Sequence, residues 1–82
     1  MADRLRDILA AHGGLRTPPA DLSDEADLYA AGMTSFATVQ LMLALEEAYD
    51  VELPEDRLNA RTFASIASIR QALAEAGAPL AA

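Results

Sequence analysis

The sequence predicts a small all-α domain, a four-helix bundle with a short third helix. Apolar residues recur at helical spacing in three segments, and hydroxyl, glycine and proline residues bound these segments. No segment alternates apolar and polar residues as a half-buried strand does, and Val51-Glu52-Leu53 is too short to build a sheet. The 82 residues are enough for one domain, assigned to residues 1–77, with a flexible C-terminal tail over residues 78–82.

The first helix is expected from Asp3 to about His12, where Gly13-Gly14 ends it. Its apolar stripe follows the i, i+3, i+4, i+7 spacing and consists of Leu5, Ile8, Leu9 and His12. His12 has no partner histidine, so it is interpreted as a capping or packing residue and not as a metal ligand.

A long connection follows over residues 13–33. Connections of this length in a compact domain are uncommon and tend to be functional. Its expected anchors to the core are Leu15, Leu22, Leu28 and Met33. The acidic cluster Asp21–Asp27 lacks the alternating pattern of a calcium loop, so an EF-hand is rejected.

The second helix is expected from about Ser35 to Tyr49, with Thr34 as the N-cap. The third is short, from about Glu55 to Ala60, because Pro54 suits a helix start. The fourth is expected from about Phe63 to Ala76. Thr62 is its expected N-cap, Gly77 its C′ residue, and its stripe is Phe63, Ile66, Ile69 and Leu73.

Two apolar faces divide the second helix at 100° per residue. One consists of Leu41, Met42, Leu45 and Tyr49, and the other of Phe36, Val39 and Leu43. Glu46 and Glu47 flank the second face and no charge falls within the first, so the first is assigned to the core. The second is expected to be an exposed docking face rimmed by carboxylates, although loop 13–33 folding over it is the alternative.

Charge and composition exclude several function classes. The net charge is −7, and residues 17–56 hold ten of the thirteen acidic residues and none of the six arginines. Nucleic acid and anionic membranes are therefore not expected as partners. There is no cysteine, and the single histidine leaves no metal site. The charged first residues do not resemble a signal peptide, so a cytoplasmic protein is expected. The protein is also expected to be a monomer.

Ser35 is the one residue whose position suggests chemistry, and three interpretations are open. It could be a helix-start serine without a role. It could be a catalytic nucleophile, but a nucleophile needs a base and an oxyanion site, and the Gly-x-Ser-x-Gly elbow is absent. No catalytic residue is therefore assigned. It could instead be the attachment point of a phosphate-linked prosthetic group, since a helix N-terminus favours a bound anion.

The run Asp27-Leu28-Tyr29-Ala30-Ala31-Gly32-Met33-Thr34-Ser35 supports the third interpretation. With Leu45-Glu46-Glu47-x-Tyr49-Asp50-Val51-Glu52-Leu53-Pro54 at this spacing, it resembles the acyl carrier protein family. The resemblance extends from about the first helix to Leu73.

The resemblance implies that Ser35 carries 4′-phosphopantetheine, transferred from coenzyme A by a phosphopantetheinyl transferase. The arm would hold an acyl or aminoacyl group as a thioester. The family fold is a four-helix bundle. The resemblance implies no enzymatic activity, and it implies docking of activating ligases and downstream acyl-transfer enzymes. The residues assigned to docking are Phe36, Val39, Leu43, Glu46 and Glu47.

Three departures from the family pattern narrow the resemblance. Thr34 stands where the family commonly has Asp, Phe36 where it often has Leu, and Ala37 and Gln40 where fatty-acid carriers have acids. The chain is most similar to small stand-alone bacterial carriers of a specialised kind, some of which accept an amino acid from a dedicated ligase. A discrete carrier for fatty-acid, polyketide or peptide biosynthesis is the alternative. An unmodified acidic helical adaptor is the alternative from another class.

Overall fold

Three α-helices and two single-turn 3-10 helices make up the computed structural model, which describes residues 4–78. In chain order they are α1 (Arg4–His12), a 3-10 turn (Pro19–Asp21), α2 (Ser35–Tyr49), a second 3-10 turn (Glu55–Arg57) and α3 (Ile66–Glu75). No strand occurs in the described part of the chain. The all-α prediction is confirmed, but the count of four helices is not. The expected third helix is reduced to the turn Glu55–Arg57.

The helix α1 ends at His12 as predicted, and its expected start at Asp3 lies outside the described residues. Leu5 and Leu9 are buried, while His12 is exposed in the last turn. His12 therefore does not pack into the core, and its position suits the negative end of the helix dipole. Arg4 donates to the carbonyl of Ala48 at 2.6 Å and lies over the ring of Tyr49, 5.0 Å from its centroid. This contact ties α1 to the C-terminal end of α2.

The connection 13–33 is held against the helices at several points. The Arg6 guanidinium donates to the carbonyls of Pro19 and Leu22 and pairs with the carboxylate of Asp24. The carbonyl of Asp24 in turn accepts from the N–H of Ala67 at 2.8 Å. Of the four expected anchors, two are buried (Leu28 and Met33) and two are partly buried against the core (Leu15 and Leu22). A long loop without an α-helix thus has a defined path.

The helix α2 has the predicted bounds and the predicted cap. Thr34 accepts from the N–H of Ala37 at 3.1 Å. At the other end, Asp50 adopts a left-handed conformation with φ of 53°, and its N–H bonds to the carbonyl of Glu46. Left-handed geometry is unusual for a residue other than glycine and stops the helix here.

The helix α3 begins three residues later than predicted. Ser65 is its N-cap and forms a reciprocal capping box with Ser68, so Thr62 does not cap the helix. Thr62 is instead buried and bonded to Asn59. The predicted C′ glycine is confirmed: Gly77 has φ of 92°, and the N–H of Ala78 bonds to the carbonyl of Leu73 at 2.9 Å in a Schellman motif. Residues 79–82 of the expected tail lie outside the described residues.

The hydrophobic core lies between the three α-helices, and α1 contacts both α2 and α3. Seven of the eight predicted core residues are buried, namely Leu41, Leu45, Tyr49, Phe63, Ile66, Ile69 and Leu73. The eighth, Met42, is only partly buried. Among residues 4–78, no helix combines the length and apolar character that crossing a bilayer requires.

Candidate functional site

Ser35 is exposed and occupies the first position of α2. Thr34 provides acceptors for two N–H groups in the first turn of α2. Its side-chain oxygen accepts from the N–H of Ala37, and its carbonyl accepts from the N–H of Thr38 at 2.9 Å. The N–H groups of Ser35 and Phe36 have no acceptor among residues 4–78. Two backbone donors without an acceptor thus belong to exposed residues at this helix head, which is the arrangement that binds an anion at a helix N-terminus.

The turn that precedes α2 presents Ser35 at the surface. Asp27 accepts from the backbone N–H groups of Tyr29 at 2.9 Å and of Ala30 at 3.3 Å. Gly32 has φ of 115°, and a Cβ there would lie 3.3 Å from the backbone nitrogen of Arg16. Glycine is required at this position both for the backbone conformation and for the close approach of the Arg16 segment.

A groove of about 420 Å³ opens beside the Ser35 hydroxyl, and we call it the Ser35 groove. Its lining is Tyr29, Ser35, Thr38, Val39, Met42, Leu58, Asn59, Ala60 and Phe63. The lining is mainly apolar and holds no histidine, carboxylate or lysine. No base therefore lies in the groove to activate a serine nucleophile. Its size falls within the range of ligand pockets in proteins.

The predicted docking stripe is exposed. Phe36 is 74% exposed, Val39 50% and Leu43 51%, so loop 13–33 does not cover them. Leu58, which sequence reasoning did not single out, is 42% exposed and lines the Ser35 groove together with Val39. We use "outer stripe" for Phe36, Val39 and Leu43.

The two carboxylates expected at the rim of the outer stripe have different environments. One oxygen of Glu46 accepts from the N–H of Leu53 at 2.9 Å, whereas Glu47 is exposed. Glu46 thus fixes the chain that leaves α2, a role that sequence reasoning missed. Among the described residues, no group of histidine, cysteine and carboxylate side chains could hold a metal ion.

Sequence reasoning also missed how residues 58–63 meet the head of α2. Asn59, Ala60 and Phe63 come within one groove of Ser35 although they lie more than twenty residues later. Asn59 also lines a second, more polar groove of about 560 Å³ with Arg57, Arg61 and Gln71. No local sequence signal indicates either contact, because both depend on the path of the chain between α2 and α3.

A family model and a curated relative both match most of this chain. The family described as Phosphopantetheine attachment site matches residues 3–73. An aminoacyl carrier protein of Agrobacterium fabrum is 58% identical over 65 residues, which is 79% of this chain and 78% of that protein.

Solved structures agree with this relationship. One is a crystal structure of an engineered Bradyrhizobium japonicum glycine:[carrier protein] ligase complexed with a carrier protein from Agrobacterium tumefaciens and AMP. It matches with a TM-score of 0.82 and 54% identity, over 85% of this chain and 93% of that chain. Another, of the B. japonicum ligase complexed with glycylated carrier protein, matches with a TM-score of 0.66 and 28% identity. The match covers 84% of this chain and 96% of that chain.

The family match extends over most of the sequence, and the helical fold with an exposed serine at the head of α2 agrees with it. The chain belongs to the phosphopantetheine-attachment family of acyl and aminoacyl carrier proteins.

Proposed function

We propose that this protein is a non-catalytic aminoacyl carrier and that Ser35 is its site of 4′-phosphopantetheine attachment. The observation that carries this proposal is the exposed Ser35 hydroxyl at the head of α2, with two free backbone donors and no base beside it. When bound, the group supplies a thiol on a flexible arm that holds an acyl or aminoacyl group as a thioester.

The residues at this site fit a phosphodiester. The N–H groups of Ser35 and Phe36 can donate to its oxygens, and the positive end of the α2 dipole stabilises its negative charge. Thr34, which stands where the family commonly has Asp, still caps the helix and leaves the two donors free. The Ser35 groove begins at the attachment point and offers an apolar surface to the arm.

Small cargo is supported by both the interior and the relatives. Eight large side chains are less than 2% exposed and so form a compact interior, and the space beside Ser35 is an open surface groove. The 58% identical relative is an aminoacyl carrier protein, and two structural relatives were solved with glycine:[carrier protein] ligases. We propose a small amino acid, with glycine as the first candidate, loaded by an amino-acid:carrier-protein ligase.

The outer stripe together with Leu58 is the proposed docking surface. Its exposed apolar side chains lie next to Ser35, and Glu47 adds a carboxylate at the rim. A phosphopantetheinyl transferase, the loading ligase and a downstream acyl-transfer enzyme would all reach the same hydroxyl or arm. All three enzymes are therefore expected to use this surface.

Intact mass spectrometry tests the attachment. After incubation with a phosphopantetheinyl transferase and coenzyme A, the wild-type protein should gain one phosphopantetheine, and Ser35→Ala should gain none. Ser23→Ala is a matched control, because Ser23 is an exposed serine outside a helix head and its variant should be modified normally. A wild-type protein that gains no mass would favour the unmodified adaptor.

The cargo is tested on the holo protein. With ATP and an amino-acid:carrier-protein ligase, it should accept glycine, while apo protein should not. Loading by fatty-acyl or malonyl transferring enzymes alone would instead establish the carrier for fatty-acid or polyketide biosynthesis and overturn the aminoacyl assignment.

A further inference from the structure

One wall of the Ser35 groove has little structure of its own. We use "groove wall" for Leu58, Asn59 and Ala60, which follow the second 3-10 turn and precede α3. No helix or strand includes these three residues. Bonds to other parts of the molecule therefore help to set their position, since irregular segments with few backbone bonds open readily.

Several side-chain bonds hold the segment that contains the groove wall. Two are local: the Asn59 amide donates to the carbonyl of Asp56 at 2.9 Å and accepts from the N–H of Thr62 at 3.0 Å. Two tie the flanking residues to α3, because Arg57 pairs with Glu75 and the Ser68 hydroxyl donates to the carbonyl of Thr62 at 2.8 Å.

A further bond reaches the groove wall from outside this segment. The Tyr29 hydroxyl donates to the carbonyl of Ala60 at 2.9 Å. Tyr29 and Ala60 both line the Ser35 groove, so this bond joins the groove wall to the turn that leads into α2.

Tyr29 is itself firmly placed. Its backbone N–H bonds to Asp27 at 2.9 Å, and its ring packs against the core. The neighbouring Leu28 is fully buried, and its N–H bonds to the carbonyl of Ala64 at 2.8 Å. The Tyr29 hydroxyl therefore extends from a turn that is bonded and packed at several points, and it holds the carbonyl of Ala60 in a segment outside any helix.

We infer that Tyr29 is a positioning residue for the arm on Ser35. Its hydroxyl holds Ala60, so the groove wall stays at a fixed separation from α2 and the arm rests between them. This inference rests on the proposed attachment at Ser35. Under that proposal, Tyr29 acts on the arm indirectly, because it holds the groove wall against which the arm rests.

Tyr29→Phe removes the hydroxyl and keeps the ring, so the core contact is preserved. In the apo protein, amide exchange at Leu58 and Thr62 should accelerate roughly fivefold, as the loss of one net hydrogen bond predicts. In the holo protein, NOE contacts between the arm and the side chains of Leu58 and Phe63 should be present in the wild type and lost in Tyr29→Phe. Far-UV circular dichroism should stay unchanged.

Asp24→Ala is the matched control. It removes a side-chain bond of the same connection, the pair with Arg6, but Asp24 does not line the groove. This variant should keep the arm contacts of the wild type. Loss of those contacts in Asp24→Ala as well would mean that general loosening of the loop is responsible, and would overturn the specific role of Tyr29.

The other outcomes separate this inference from the function on which it rests. If wild-type protein gains no phosphopantetheine, the proposed function fails. If it is modified but the arm makes no contact with the groove, or if the contacts persist in Tyr29→Phe, then only the role of Tyr29 fails.

Discussion

The helices α2 and α3 use their residues in different ways. Polar groups at both ends of α3 form bonds within the fold: Ser65 and Ser68 cap its start, and Gly77 leads a Schellman motif at its end. The Ser68 hydroxyl donates to the carbonyl of Thr62 at 2.8 Å and accepts from the N–H of Ser65. Ser35 occupies a similar first turn in α2, but its hydroxyl is exposed and two backbone donors beside it are free.

The apolar residues differ in the same way. All the large apolar side chains of α3 are buried, together with one alanine; they are Ile66, Ile69, Leu73 and Ala72. Helix α2 buries one face and leaves the outer stripe exposed. The difference indicates that α3 is a structural element, whereas α2 is structural on one face and open to partners on the other.

The largest expected effect separates the two faces of α2 with the same substitution. Leu41 is fully buried and Leu43 is 51% exposed. Leu41→Ala should lower the free energy of unfolding by about 2 to 5 kcal/mol, because it leaves a cavity in the core. Leu43→Ala should change it by no more than about 0.5 kcal/mol. Urea denaturation measures both, and a large loss for Leu43→Ala would show that the outer stripe belongs to the core.

The next effect concerns partner binding. Phe36→Ala should weaken the affinity for a glycine:carrier-protein ligase roughly tenfold, as loss of an aromatic anchor at an interface does. Its melting temperature should stay nearly unchanged because Phe36 is 74% exposed. Isothermal titration provides the affinity, and Gln71→Ala on the exposed side of α3 is the control. Equal affinities for both variants would contradict docking on α2.

A smaller effect compares the heads of the two helices. Ser65→Ala should lower the free energy of unfolding by about 1 kcal/mol through loss of the capping box. For a domain of this size that corresponds to a fall in melting temperature of about 4 to 8 °C. Ser35→Ala should not lower it, because the Ser35 hydroxyl has no partner within residues 4–78. If calorimetry shows equal losses, the contrast between the two helix heads is wrong.

The smallest effect is electrostatic. Glu47→Gln should slow association with the ligase about twofold to threefold at low salt, since rim charges act mainly on association rates. The difference should vanish near 1 M salt, where screening is strong. Stopped-flow measurements test this, with Glu52→Gln as an exposed control outside α2. An effect of the same size in both variants would point to net charge instead of a rim position.

The sequence predicted α2 well and α3 less well, for a physical reason. The cap at Thr34 is followed directly by the apolar pattern of α2, so local signals and structure coincide. Before α3, Thr62 and Phe63 resemble a cap followed by a buried residue. Phe63 is indeed buried, but it lies in a turn, and the true cap is Ser65. At the start of α3, burial of Phe63 therefore suggested a helical residue, although the residue is buried from a turn.

Some parts of the candidate site could be predicted from local sequence and others could not. Ser35 and the outer stripe follow from local sequence, because a helix head and a helix face are properties of one element. The Ser35 groove does not, because Tyr29 and Ala60 meet only through the packing of two irregular segments. The bond between Glu46 and Leu53 is likewise set by where the chain turns after α2.

The left-handed residue Asp50 gives a practical route to a more robust protein. A residue other than glycine in this conformation is strained by roughly 1 kcal/mol, and glycine would relieve the strain. Because α2 has 15 residues and rises about 1.5 Å per residue, Asp50 lies about 22 Å from the head of the helix. Asp50→Gly should therefore raise the melting temperature at a position far from Ser35. The stability of the fold can then be changed without altering the site where the cargo is attached.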